Sequence, residues 1–114
     1  MINIPDGAKK ITVDGATVDF VEFGIDNDIY YAFDTSKCSP PEPMVNAVAG
    51  LNLLDADNKK LLMINHKNPG GLIDKIGDDF KIVSSVRSDG LVEVVFTRKG
   101  YVDMGEAKYH STCH

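Results

Sequence analysis

The segment Ser39-Pro40-Pro41-Glu42-Pro43-Met44 constrains the fold of this chain more than any other stretch. Before it lies a β-branched and aromatic run, Ile29-Tyr30-Tyr31-Ala32-Phe33. After it, Met44, Val45, Val48, Leu51 and Leu54 recur at three- and four-residue spacing. The first pattern is that of a strand, the second that of one helical face. Proline has a fixed φ and no N–H, so it suits the first turn of a helix and breaks its interior. Each proline also pushes its predecessor into extended backbone. The segment therefore reads as a stiff strand-to-helix corner. Ser39 stands where an N-cap would, and Glu42 follows at the spacing of a capping box. The helix is expected to start at Pro40 or Pro41 and to end near Leu53.

The flanking patterns give the remaining elements. Ile11-Thr12-Val13, Asp14-Gly15 and Ala16 to Phe23 read as a hairpin with an Asp-Gly turn. Gly24 to Asp28 is the next turn, and Lys60 to Asn65 is a short apolar run of the buried-strand type. Asn68-Pro69 opens a second helix in which Leu72, Ile73 and Ile76 share a face, with Gly77 placed to stop it. Phe80 to Val86 and Leu91 to Thr97 are strands joined through Arg87-Ser88-Asp89-Gly90, a second Asp-Gly signal. Tyr101 to His114 shows no clear period. From residue 29 the order is strand–helix–strand–helix–strand–strand. That order predicts an α/β, two-layer α+β sandwich with a mixed sheet, preceded by an N-terminal β-hairpin. The 114 residues fit one domain, with a hairpin extension over 1–28, a core over 29–98 and a tail over 99–114.

Composition removes several function classes. Apolar residues make up 43% and charged residues 25%, the balance of an ordinary globular chain. No apolar run approaches the ~20 residues of a membrane-spanning helix. The start, Met1 to Gly7, lacks the basic and apolar regions of a signal peptide, so a cytoplasmic location is expected. The net charge is −5, and the basic residues stand singly or in pairs. That argues against a nucleic-acid or anionic-membrane surface. Cys38 and Cys113 are far apart and are expected to stay reduced.

The stretch Asp34-Thr35-Ser36-Lys37-Cys38-Ser39-Pro40-Pro41-Glu42-Pro43 resembles the signature of the TusA/SirA-like sulfur carriers. In that superfamily an Asp ends the first strand, and Cys-Pro-Glu-Pro begins the first helix a few residues later. The element order over residues 29–98 is also similar, with two helices on one face of a βαβαββ sheet. The Pro-Pro-Glu-Pro variant is similar to an uncharacterised branch of the superfamily. Here Pro40 occupies the place of the persulfide-carrying Cys, while Pro41, Glu42 and Pro43 match. Proline has no nucleophile. The resemblance thus implies the scaffold and a protein-contacting surface, not the sulfur chemistry, and implies no cofactor.

Ligands of α/β sheets gather beyond the C-terminal ends of strands. The candidate binding edge therefore joins Asp34, Cys38, Ser39, Pro40, Pro41, Glu42 and Pro43 to the second corner, His66, Lys67, Asn68 and Gly70. Asn68 can cap the second helix, and Gly70 and Gly71 leave backbone amides accessible. A thiol just outside a helix N-terminus has its pKa lowered, so Cys38 is a candidate displaced sulfur acceptor. His110, Cys113 and His114 are metal-ligand types, but their spacing is not a four-ligand zinc pattern, and Cys38 or His66 would have to complete it. Asp55-Ala56-Asp57-Asn58 lacks the Gly and distal Glu of a calcium loop. The sequence thus points to a small, non-catalytic binding or regulatory domain with a protein partner and no nucleic acid or membrane. A persulfide relay through Cys38 and a metal or small-anion binder through His66 and the C-terminal cluster are the alternatives.

Overall fold

In chain order the elements are β1 (Lys9–Ile11), β2 (Phe20–Ile25), β3 (Asp28–Asp34), α1 (Glu42–Leu51), β4 (Lys59–Asn65), α2 (Gly70–Ile76), β5 (Phe80–Val86) and β6 (Val92–Arg98). The structure is a computed structural model and describes residues 4–76 and 79–98. The strands form one mixed sheet in the order β1-β2-β3-β4-β6-β5. Among the described residues only the β3–β4 pair is parallel, with Tyr31 opposite Leu61 and Phe33 opposite Met63. The other pairs are antiparallel. This is the expected mixed sheet, and the N-terminal residues join it as strands β1 and β2 beside β3. Among the described residues no helix is long and apolar enough to cross a membrane.

Strand alternation sends Phe20, Tyr31, Phe33, Leu61, Met63, Val94 and Phe96 to one face. There they form a single core with Ala47, Leu51 and Leu54 from α1 and its exit, and Leu72 and Ile76 from α2. Both helices therefore cover the same side. Phe20 and Phe33 stack across β2 and β3 with ring centroids 4.8 Å apart. The opposite face carries a smaller cluster of Phe23, Ala32 and Leu62.

Two expectations need correction. The Asp14-Gly15 turn is present, with Gly15 at φ +83° and the Ala16 N–H donating to Val13 O. It does not join two strands directly. It lies inside a loop over 12–19, where the chain turns at Val13 and the Val13 side chain packs into the core. The second correction concerns α1. Its buried residues are Asn46, Ala47, Ala49, Gly50 and Leu51, whereas Met44 and Val45 are about two-fifths exposed. The helix packs through its small residues because it lies close to the sheet. A Cβ at Gly50 would come within 2.5 Å of Leu61 Cδ1 and 3.0 Å of Phe20 Cε2. Val48, Leu51 and Leu54 of the expected stripe do pack on the core, so the correction is confined to the first turn.

Candidate functional site

β3 and β4 are parallel, so both end at the same edge of the sheet and each leads into a strand-to-helix corner there. The floor between the corners is polar and buried. The Thr35 N–H continues the parallel ladder to Ile64 O at 2.8 Å. Its hydroxyl donates to Asn65 Oδ1 at 3.1 Å, and Asn65 Nδ2 donates to Lys67 O at 3.0 Å. Thr35 and Asn65 are fully or almost fully buried, so these bonds satisfy groups that water cannot reach.

The first corner departs from the capping box. Ser39 O accepts the Glu42 N–H in a tight turn, the Pro40–Pro41 bond is cis, and the N-cap position falls to Pro41, which has no capping side chain. Ser39 therefore sits too early to cap. Glu42 turns away from it, and its Oε2 accepts from Thr17 Oγ1 at 2.8 Å. One turn later, buried Asn46 accepts the Thr17 and Val18 N–H groups at 2.8 and 3.2 Å. Its Nδ2 donates to Thr17 Oγ1 and to Glu42 O. The 12–19 loop thus takes over the anchoring assigned by sequence to Ser39.

At the second corner Asn68 does not serve as the expected side-chain cap. Its Oδ1 accepts from Ser84 Oγ on β5 at 3.1 Å, while its backbone O accepts the Gly70 N–H. His66, Lys67 and Gly70 are exposed. A Cβ at Gly70 or Gly71 would meet nothing within 4 Å, so these glycines border open space.

That space is a groove of about 340 Å³ between the corners. Pro40, Pro41, Pro43 and Met44 form one wall. Asn65, His66, Lys67, Asn68 and Pro69, with Gly70, Gly71 and Leu72 of α2, form the other. The structure therefore brings together Pro40, Pro41, Pro43, His66, Lys67, Asn68 and Gly70 of the expected edge. It leaves Asp34, Cys38, Ser39 and Glu42 out of the groove lining. Asp34 Oδ1 accepts the Ser36 N–H at 2.8 Å and shapes the loop after β3. Cys38 is half-buried, and its N–H donates to Thr35 O.

The expected lowering of the Cys38 pKa is reversed. Burial pushes the thiol up, and the carboxylates of Glu42 and Asp34 push it the same way. His110, Cys113 and His114 lie outside the described residues, as does Gly77. Among the described residues no three His, Cys, Asp or Glu side chains cluster as metal ligands.

Sequence reasoning missed Thr17, Thr35, Asn46 and Asn65. Two of them carried a visible signal: Asn46 interrupts an Ala- and Val-rich helical run, and Asn65 ends an apolar strand. A polar residue in such a place is retained only when its partners are supplied. No protein-family model matches this chain, and no curated protein or solved structure matches it.

Proposed function

We propose that this chain is a non-catalytic binding module of TusA-like architecture whose working surface is the groove between its two corners. The single observation behind this reading is that Pro40, Pro41, Pro43 and Met44 face His66, Lys67 and Gly70 across one open groove. The β3-α1-β4-α2-β5-β6 order and the Pro41-Glu42-Pro43 helix start support the family part of the reading. The lining supports the functional part. Proline rings, Met44 and Leu72 offer apolar contact, Asn65 and Asn68 offer orienting polar groups, and among the described residues no Ser, Thr or Cys side chain lines the groove. Among the described residues His66 and Lys67 are its only ionisable lining residues. The partner is a protein segment with an apolar side chain for the proline wall and a carboxylate for Lys67.

The test is chemical-shift mapping of the labelled chain against short peptides that carry an apolar residue next to an acidic one. Shifts are expected at Met44, His66, Lys67, Gly70 and Gly71, and are expected to vanish in Met44→Glu. Shifts confined to other surfaces, or shifts that Met44→Glu leaves unchanged, overturn the assignment. The sulfur-relay alternative rests on Cys38 alone among the described residues. Its raised pKa and its place outside the groove lining weigh against it. After incubation with a persulfide donor, the intact mass is expected to show no sulfur added to Cys38.

A further inference from the structure

The two edges of the sheet are finished differently. β1 is a three-residue strand with Lys9 and Lys10, and Lys10 Nζ is paired with Asp19 at 3.3 Å. Short length and charge are the usual means of closing an edge to other chains. β5, at the other edge, is seven residues long and carries Lys81 as its one charged residue. It has no proline, Val83 is 54% exposed and Val86 is 76% exposed. Among the described residues no strand pairs with its outer side.

The hydrogen-bond phase shows which amides point outward. The Arg87 N–H donates to Leu91 O at 2.7 Å, so residue 87 faces β6. In an antiparallel ladder this alternates, so Lys81, Val83 and Ser85 also face β6, while Ile82, Ser84 and Val86 turn their N–H and C=O groups to the free edge.

We propose that two copies of this chain pair antiparallel through β5, with the two-fold axis at Val83, joining their sheets into one. Several features of the strand fit this register. Ile82 lies opposite Ser84 of the second copy, and both are outward-facing residues, so each pair exchanges two backbone hydrogen bonds. Val83 then meets Val83 of the second copy in a non-hydrogen-bonded pair, where side chains approach most closely. Lys81 falls opposite Ser85 of the second copy and meets no like charge. Moving the axis to Ser84 would instead set Lys81 against Arg87 of the second copy. Such an isologous contact closes on itself and leaves the well-defended β1 edges outermost.

A single strand pair buries less than the ~1,200 Å² of a standard interface, so the dimer is a weak one. The experiment is sedimentation equilibrium of the full chain from about 10 μM to about 1 mM, the range suited to such contacts. The average mass is expected to rise from 12.4 kDa toward twice that value. Val83→Lys, which sets two ammonium groups against each other at the axis, is expected to stay monomeric. Val83→Ile is expected to dimerise at least as well as the natural chain. Hydrogen exchange supplies a second readout. The amides of Ile82 and Ser84 are expected to slow as concentration rises, while those of Lys81, Val83 and Ser85 are protected throughout. A monomer at every concentration, a dimer that Val83→Lys leaves intact, or amides at Ile82 and Ser84 that ignore concentration would each overturn the proposal.

Discussion

The two corners that wall the groove are held by different means. The first corner is stiffened by Pro40, Pro41 and Pro43, and is tied down from outside the groove by the 12–19 loop through Asn46 and Glu42. The second is opened by Gly70 and Gly71. It is held from beneath by Asn65 and Thr35, and from the side by one exposed bond between Ser84 and Asn68. In neither corner does an exposed groove-facing side chain carry the anchoring, apart from Asn68. The walls can therefore be altered without dismantling the scaffold, which suits the binding surface proposed above. It also ranks the anchors: the four-bond Asn46 hub should matter most, then the buried Asn65 pair, then the exposed Ser84 tether.

The largest effect is expected at Asn46→Ala. The substitution strips the acceptor from the Thr17 and Val18 N–H groups and detaches the loop from α1. Each buried polar group left without a partner costs about 1–3 kcal/mol, and two partly buried amides place the total near 3 kcal/mol. A denaturant unfolding curve with an unchanged slope and a lower midpoint would show it. A loss below about 1 kcal/mol would mean that the prolines alone fix the first corner, and the contrast between the corners would collapse.

Asn65→Ala should follow at about 2 kcal/mol, since it orphans Lys67 O and removes one of two acceptors of the Thr35 hydroxyl. The Thr35 hydroxyl still has Ile64 O at 3.4 Å, which limits the loss. Should Asn65→Ala cost more than Asn46→Ala in the same unfolding assay, the second corner is the better anchored of the two and the ranking reverses.

The sequence made the corners legible but not their anchors, for a physical reason. Proline and glycine act locally, so the Pro40–Pro43 segment and the Pro69-Gly70-Gly71 turn could be placed from the chain alone. The strands could also be placed, because alternation and β-branching are local patterns; the expected β5 span matches the observed Phe80–Val86. The anchors are contacts across 16 to 30 residues of chain, such as Ser84 to Asn68, Thr17 to Glu42 and Thr35 to Asn65, and no local pattern encodes them. The same limit explains the part of the α1 face that was misread. Val48, Leu51 and Leu54 of the expected stripe do meet the core, but Met44 and Val45 in the first turn stay exposed, and Ala47 and Gly50 lie where the helix comes close to the sheet. Capping-box spacing misled at Ser39 because the tight turn to Glu42 occupied the residues that a cap would need.

Gly70→Ala separates the scaffold role of the second corner from its proposed binding role. Residue 70 has open space around its Cα and does not have the positive φ that would require glycine. Alanine there should raise stability by about 0.5–1 kcal/mol, from helix propensity and a less flexible unfolded chain. The added methyl group also projects into the space that a partner would fill. A variant that is more stable and binds groove peptides more weakly is the expected pair of outcomes, read by thermal melting and peptide titration. Lower stability would show that the glycine serves the fold, leaving both corners built for rigidity.

Ser84→Ala is the smallest effect and the most direct probe of the side tether. The Ser84–Asn68 bond is exposed, so water can replace the serine hydroxyl as the partner of Asn68 Oδ1. The net loss should be about 0.5 kcal/mol, at the bottom of the range for a single hydrogen bond. Such a value leaves the second corner resting on Asn65 and Thr35 from below, with its outer rim free to adjust around a ligand. A loss above about 1.5 kcal/mol would be too large for one exposed bond. It would mean that β5 holds the second corner as firmly as the 12–19 loop holds the first, and the groove would then be a rigid slot between two fixed walls.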